Sequence, residues 1–261
     1  MVLRLSVRQH ALVSSCIQPL EGARRLSRTF TACALLAVAV LAYNRDALAE
    51  SGYLAGHEVD FHEVLQGPPA ADSPWDRSDQ QLVEAYQKAD EARFQSAKLD
   101  QEELYPRFAE AFGHPIDKST TPALVALLDR ALLDVNATAS AAKNYFHRER
   151  PFQRLKLQRV CSKAAAVMPA AYAMRDPSYP SGHSTHGWTV AMILARVAPD
   201  RAQALMTRAQ EYEESRLVCG MHFPTDVEAG QEVAIAVVSH LDASTEFQTD
   251  LARARKERAA F

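Results

Sequence analysis

Residues 121–151 read TPALVALLDRALLDVNATASAAKNYFHRERP, and this stretch decides the fold class. Apolar side chains recur in it at intervals of three and four residues, at Leu124, Leu128, Ala131, Val135, Ala139 and Ala142. This spacing predicts one long helix that buries a single face. Thr121 and Pro122 are typical of a helix start. At the other end, Pro151 disfavours helical geometry at Arg150, so we expect the chain to turn there.

Helical signals continue on both sides of this stretch. Capping boxes at Ser78 with Gln81, and at Asp100 with Glu103, predict two helix starts upstream. Downstream, further helices are predicted at about 185–197, 201–217 and 225–240. Alternation typical of strands is nearly absent, and no repeat or long linker divides the chain. The sequence therefore predicts one all-α domain with five to seven main helices.

Composition excludes several classes of protein. Of the 261 residues, 48% are hydrophobic and 23% charged, which argues against intrinsic disorder. The formal net charge of −3 gives no electrostatic reason to expect a nucleic acid partner. No apolar run outside the N-terminal region is long enough for a membrane span, which excludes a multi-span membrane protein.

The first 49 residues resemble a secretory signal peptide. Arg24, Arg25 and Arg28 precede an apolar run from Thr29 to Tyr43, and Ala47-Leu48-Ala49 supplies a small-residue cleavage site. We expect cleavage after Ala49, the alternative being a retained N-terminal anchor. The mature protein would then be periplasmic or secreted and have no membrane span. Residues 50–74 are predicted to form an extended arm, and residues 75–261 the helical domain.

Two of the four cysteines, Cys161 and Cys219, remain after this cleavage. In an exported protein, such a pair predicts one disulfide. Two buried free thiols are the alternative.

Three polar clusters carry the chemistry. In the first, Lys143 and Arg150 are seven residues apart, so along one helix both cations would point the same way and clamp an oxyanion. The alternative is a solvated basic helix end.

The second cluster is SYPSGHST at residues 178–185, which leads into an apolar helix. Gly182 allows a close backbone approach, so amide N–H groups at the helix start can meet an anion. Ser181 adds a hydroxyl donor, and His183 is a candidate proton donor to a leaving group. The alternative is a Ser/Thr-rich helix cap with an incidental histidine. His186 makes a His-x-x-His pair with His183, but nearby residues offer no carboxylate or cysteine to complete a metal site.

The third cluster is SRLVCGMHFPTD at residues 215–226. Arg216 supplies a cation, and we expect Asp226 to accept the Nδ1 proton of His222. That contact would leave Nε2 of the imidazole as a nucleophile. A purely structural histidine–aspartate pair is the alternative.

Together the clusters spell Lys-x6-Arg-Pro, Pro-Ser-Gly-His and Ser-Arg-x5-His-x3-Asp. This order resembles the signature of the phosphatidic acid phosphatase type 2 (PAP2) superfamily, which includes the vanadium haloperoxidases. The chain looks most like the bacterial class A non-specific acid phosphatases, over roughly residues 65–240. The resemblance implies a single-domain helical bundle of the PAP2/vanadium haloperoxidase type. Ser184, His186 and Met221 depart from the pattern and bear on substrate preference.

The resemblance also implies a role for each signature residue. His222 would be the nucleophile that forms a phosphohistidine, with Asp226 orienting it, while His183 would protonate the leaving group and then activate water. The phosphate oxygens would be held by Lys143, Arg150, Arg216, Ser181 and the amide of Gly182. Because three cations can neutralise the phosphate, we expect no metal and no cofactor. Small phosphomonoesters would be substrates, with phosphotransfer to alcohols as a side activity and inhibition by phosphate or vanadate.

Other functions are compatible with the same residues. A vanadium-dependent haloperoxidase would hold vanadate at the same anion site, and a non-catalytic phosphate-binding module would bind without turnover. A lipid phosphatase is disfavoured because the mature chain lacks a membrane span. A homo-oligomer is also compatible with the sequence.

Overall fold

The computed structural model describes residues 51–162 and 177–261, and every regular element within these two ranges is a helix. This confirms the predicted all-α class. In chain order the α-helices are α1 (Phe61–Val64), α2 (Pro74–Tyr86), α3 (Glu91–Glu102), α4 (Ala109–Phe112), α5 (Pro122–Phe146), α6 (Pro151–Arg154), α7 (Gly182–Val197), α8 (Ala202–Val218), α9 (Pro224–Leu241) and α10 (Thr245–Arg258). Short 3-10 helices occupy Tyr105–Phe108 and Pro199–Arg201.

Helix α7 is the centre of the packing. It lies against α8, α9 and α5, and buried side chains from all four helices form the main core. The helices predicted at 121–151, 185–197, 201–217 and 225–240 are all present. Helix α5 begins at Pro122, as the Thr121-Pro122 pair predicts.

Two predicted helix starts are wrong. Helix α2 is capped by Ser73, whose hydroxyl accepts the N–H of Asp76, and Ser78 lies inside that helix. Helix α3 is capped by Asp90, and Asp100 lies near its end. Asp100 is buried, and its carboxylate pairs with Arg208 and Ser215 on α8, which a local capping pattern cannot reveal. Helix α10 was not predicted.

The end of α5 also differs from the simplest prediction. His147 has φ 50°, in the left-handed region, and the helix ends at Phe146. Arg150 is extended (φ −78°, ψ 150°), as expected for the residue before Pro151. Lys143 and Arg150 are therefore not two turns apart on one helix, because the chain turns between them.

Residues 51–73 lie against α5 and contain only the short helix α1. The backbone N–H groups of Tyr53 and Leu54 donate to Asp134 at 2.8 and 3.0 Å, and Val59 and Phe61 are buried. None of the helices in the described ranges is long and apolar enough to span a membrane. The predicted signal peptide, residues 1–49, lies outside the described residues.

The predicted disulfide is confirmed. Cys161 and Cys219 are bonded, with their Cα atoms 4.9 Å apart. The bond ties the segment after α6 to the end of α8, three residues before His222.

Candidate active site

The imidazole of His222 is held through both of its nitrogens. The residue lies between α8 and α9 and is 1% exposed. Nδ1 is 2.9 Å from the backbone carbonyl oxygen of Ser178, and Nε2 is 2.9 Å from Nη1 of Arg150. A carbonyl only accepts hydrogen bonds and a guanidinium only donates them. Both contacts therefore require one neutral tautomer, with the proton on Nδ1 and the lone pair on Nε2.

The Nδ1 proton thus has a different acceptor from the predicted one. Oδ2 of Asp226 is 3.7 Å from Nδ1 of His222, beyond ordinary hydrogen-bond distance. It accepts instead from the hydroxyl of Ser178 at 2.6 Å and from the N–H of Phe223 at 2.7 Å. The reason is that α9 begins at Pro224, so His222 and Asp226 are not neighbours on one helical turn. Asp226 acts on the imidazole through its charge and through Ser178.

The opposite oxygen of Asp226 belongs to a buried ion-pair network. Arg148 donates to Oδ1 of Asp226 at 2.6 Å and to Oδ2 of Asp79 at 2.7 Å. Asp79, on α2, also accepts the hydroxyl of Thr225 at 2.5 Å. The guanidinium of Arg148 lies 4.3 Å from the ring centroid of Phe223. The network therefore links α2 and the turn after α5 to the start of α9.

The second cluster lies at the start of α7, as predicted. Ser181 caps this helix and its backbone N–H donates to the carbonyl of Asp226 at 2.8 Å, which joins the starts of α7 and α9. A Cβ atom on Gly230 would lie 2.5 Å from the carbonyl oxygen of Ser181, so α9 approaches α7 closely only because residue 230 is glycine. Gly182 is the first residue of α7, where its amide belongs to the helix start.

The two cations of the first cluster reach this region from different directions. Lys143, on α5, donates from Nζ to the carbonyl of Pro177, and its Cε is 3.9 Å from the position of a Cβ on Gly182. Arg150, on the turn before α6, donates to the carbonyl of Met221 at 3.0 Å as well as contacting His222. Lys143 thus reaches the start of α7 from helix α5, and the turn after α5 brings Arg150 to His222.

His183 and Arg216 share a neighbour on α3. Nε2 of His183 is 3.2 Å from the backbone carbonyl oxygen of Gln101, and Nη2 of Arg216 donates to Oε1 of Gln101 at 2.5 Å. Arg216 is fully buried near the end of α8. Gln101 was not predicted, because nothing in the local sequence connects α3 to these clusters.

Electrostatics favour the neutral form of both imidazoles. Burial lowers the pKa of His222 well below its ordinary value and the Arg150 guanidinium lowers it further, although Asp226 opposes this shift. Burial likewise lowers the pKa of His183 well below its ordinary value, and the neighbouring Arg216 adds to the effect. Neutral imidazoles are the form in which a nitrogen lone pair can attack.

His186 is separate from this chemistry. Its Nε2 lies 2.6 Å from Oδ1 of Asn136, and burial lowers its pKa to about 4. Among residues 51–162 and 177–261, no group of three or more His, Cys, Asp or Glu side chains is arranged to hold a metal ion.

Three contacts were missed from the sequence besides Gln101. Ser178 is the first residue of the second cluster and Arg148 lies inside the first, so their positions in the clusters were a usable signal. Asp79 offers no such signal, because its role depends on where α2 packs.

Comparisons with known proteins point the same way as this geometry. A family model described as the PAP2 superfamily matches residues 123–246. An acid phosphatase from Zymomonas mobilis is 34% identical over 198 residues, which cover 74% of this chain and 73% of that protein. A non-specific acid phosphatase from Salmonella typhi is 30% identical over 229 residues, which cover 85% of this chain and 89% of the relative.

Proposed function

Because this chain belongs to the PAP2 superfamily, we propose that it is an acid phosphatase that hydrolyses phosphate monoesters through a phosphohistidine on His222. One observation carries the proposal: Nε2 of His222 holds a lone pair 2.9 Å from a guanidinium nitrogen of Arg150. A nucleophilic nitrogen and an oxyanion donor therefore meet at one point, as in-line attack on a phosphoryl group requires.

In the first step, Nε2 of His222 forms a bond to phosphorus while the ester P–O bond breaks. The proton of the imidazolium of His183 passes to the departing oxygen, so the leaving group departs as a neutral alcohol. The Nδ1–H of His222 remains on the carbonyl of Ser178, which keeps the ring oriented as positive charge develops on it. Arg150 must shift from Nε2 to a phosphate oxygen as the substrate enters.

In the second step, water attacks phosphorus and breaks the P–N bond, and the now neutral His183 takes a proton from that water. An alcohol in place of water would accept the phosphoryl group, which accounts for a phosphotransferase side activity. The second step returns His222 to its neutral tautomer and releases inorganic phosphate or a new phosphate ester.

Charge neutralisation comes from Lys143, Arg150 and Arg216, with the hydroxyl of Ser181 and the amide of Gly182 as further donors. Phosphoryl transfer depends mainly on positioning and on stabilising the charge of the transferring group. Arginine offers paired donors that match phosphate oxygens. The same site would bind inorganic phosphate and vanadate, and we expect both to inhibit.

The acidic working range follows from the two imidazoles. His222 must be neutral to attack, and His183 must be protonated to donate. Burial and neighbouring cations lower the pKa of each from its ordinary value of 6.5. The profile of kcat/KM against pH reports these free-enzyme groups. Its maximum lies between two lowered pKa values, so we expect it below pH about 6.5, and a maximum above neutrality would contradict the assignment.

A trapping experiment tests the phosphohistidine. The purified protein is mixed with a radiolabelled aryl phosphate in excess chelator and quenched in base, where phosphohistidine survives. We expect turnover and a labelled intermediate for the wild type, and neither for His222→Ala. His114→Ala is the control, because His114 is only partly buried, stacks on Phe261 and lies outside the three clusters. Turnover that chelator abolishes, or that survives in His222→Ala, would overturn the mechanism.

Two further measurements separate the rival functions. A haloperoxidase would oxidise bromide with peroxide once vanadate is added, whereas we expect vanadate only to inhibit hydrolysis. A binding module would retain phosphate affinity with no turnover in any variant.

We also propose that the protein is exported to the periplasm or secreted. The Cys161–Cys219 disulfide supports this, since such bonds persist in oxidising compartments. Fractionation of cells would test export. The mass of the mature polypeptide would test cleavage after Ala49, and its size in solution would test a homo-oligomer.

A further inference from the structure

The last turn of α3 lies against two residues of the site. Gln101 accepts from Nη2 of Arg216 through its side-chain oxygen at 2.5 Å, and its backbone carbonyl oxygen is 3.2 Å from Nε2 of His183. One residue outside the three clusters thus contacts members of both the second and the third.

The backbone contact follows from the position of Gln101 in its helix. Helix α3 ends at Glu102, and the last four carbonyls of a helix have no partner within it. The carbonyl of Gln101 is one of these, and the Nε2–H of His183 supplies its hydrogen bond. Since a carbonyl only accepts, this contact fixes the ring of His183 with a proton on Nε2. The negative end of the helix dipole also favours a cationic imidazole there.

The side-chain contact is complementary to it. The amide oxygen of Gln101 holds the guanidinium of Arg216 without adding a negative charge that would oppose phosphate. The preceding residue contributes to the same alignment, because Oδ2 of Asp100 accepts the hydroxyl of Ser215 at 2.6 Å. Asp100 and Gln101 therefore hold the consecutive residues Ser215 and Arg216 at the end of α8.

We propose that Gln101 is a positioning residue that aligns Arg216 with His183, so that oxyanion binding and leaving-group protonation act on one phosphate. The inference rests on the proposed acid phosphatase function and adds a residue to it. Gln101 acts through the two residues it contacts.

Replacing the amide tests the side-chain contact. Gln101→Met keeps the length and helix preference of the side chain but removes the acceptor for Arg216. Because a hydrogen bond to a charged group is stronger than one between neutral groups, we expect its loss to lower kcat/KM roughly 10- to 100-fold. Gln95→Met is the matched control, because Gln95 is exposed on the same helix. We expect it to stay within about twofold of the wild type.

A second substitution is tested by the pH profile of kcat/KM, which a simple loss of packing would not shift. Gln101→Glu keeps an acceptor but places a carboxylate beside Arg216 and His183. The other charged or titratable groups that act on His183 are Arg150 and His186, and neither changes. We expect the alkaline limb of the kcat/KM profile to rise by roughly 0.5–1 pH unit, and Gln95→Glu to leave it in place. A limb that does not move in Gln101→Glu would contradict the alignment.

The outcomes separate this inference from the proposed function. If the wild type hydrolyses aryl phosphate and Gln101→Met is as active, the inference is overturned and the function stands. If the wild type binds inorganic phosphate in calorimetry but does not turn over substrate, the proposed function fails. The affinity for phosphate then tests the inference about Gln101. Binding that is about tenfold weaker in Gln101→Met supports the inference, and equal binding overturns it. If the wild type does neither, both fail. Circular dichroism checks folding, and Gln101→Glu carries the test if Gln101→Met does not fold.

Discussion

Arg148 offers the sharpest test of how the site is held together. Its side chain is 7% exposed and lies between the carboxylates of Asp226, at 2.6 Å, and Asp79, at 2.7 Å. These two carboxylates are themselves 0% and 2% exposed. Arg148→Met fills much of the same volume but leaves two buried negative charges without their shared cation. Breaking a buried ion pair in this way costs about 3–5 kcal/mol. We expect the free energy of unfolding at neutral pH to fall by that amount.

The pH dependence of this loss has a definite sign. Burial raises the pKa of Asp226, but the Arg148 guanidinium, together with His222 and the hydroxyl of Ser178, outweighs burial and holds that pKa well below its usual range. In the wild type, Asp226 therefore contributes stability above the unfolded pKa of about 3.9, and this is lost as the pH falls through the folded value. In Arg148→Met the folded pKa rises, so the buried carboxylate takes up a proton more readily. The stability gap between variant and wild type is thus largest at neutral pH and narrows toward pH about 4.

Urea unfolding followed by circular dichroism at several pH values measures both effects. Arg253→Met is the control, because Arg253 pairs with Asp250 at 2.6 Å but is 59% exposed. Exposed pairs contribute at most about 1 kcal/mol. Adding Asp79→Asn to Arg148→Met should recover part of the loss, since one uncompensated charge is removed. A loss under about 1 kcal/mol, or a gap that does not change with pH, would refute the reasoning.

Three further predictions concern the contacts around the helix starts. In Gly230→Ala the new methyl would lie 2.5 Å from the carbonyl oxygen of Ser181, so α7 and α9 would have to move apart. We expect kcat/KM to fall at least about tenfold and the free energy of unfolding to fall by about 1–3 kcal/mol. Unchanged kinetics would show that the close approach of the two helices is dispensable. Cys161→Ser removes the disulfide to Cys219, which closes a loop with a sequence separation of 58. We expect the free energy of unfolding to fall by about 4 kcal/mol. A reductant should remove this difference, because it destabilises the wild type and leaves the variant unchanged. Ser178→Ala removes the hydroxyl that binds Asp226 but keeps the carbonyl that orients the ring of His222. We expect stability to fall by about 1–3 kcal/mol while the proposed phosphoenzyme still forms, and a variant unable to form it would contradict this division of roles.

Elements with local signals could be predicted from the sequence. The Thr121-Pro122 start, the apolar period of α5 and the extended geometry before Pro151 depend on neighbouring residues only, and all three are present. The start of α7 within the second cluster follows from the same kind of local chemistry, although the helix begins at Gly182, three residues before the predicted position of about 185. Helix α10 shows the limit of local periodicity. Its buried residues Phe247, Leu251 and Ala254 have helical spacing, but the strongly charged surroundings obscure it.

Contacts between distant segments could not be predicted. The spacing of His222 and Asp226 suggests a direct hydrogen bond, yet the carbonyl of Ser178, 44 residues earlier, takes the proton. Asp100 has the local pattern of a helix cap but is buried against Arg208 and Ser215, more than 100 residues later. In each case the partner that prevails is brought near by packing, which no local pattern encodes.

Asp226 shows why the three clusters depend on one another. Its side chain caps α9 at the N–H of Phe223 and accepts the hydroxyl of Ser178, and its backbone carbonyl accepts the N–H of Ser181. Its other oxygen holds Arg148, which lies within the first cluster. A single residue thus contacts the turn after α5, the start of α7 and the start of α9. Since the ring of His222 is already oriented by a backbone carbonyl, the principal work of Asp226 is to fix these three segments around His222.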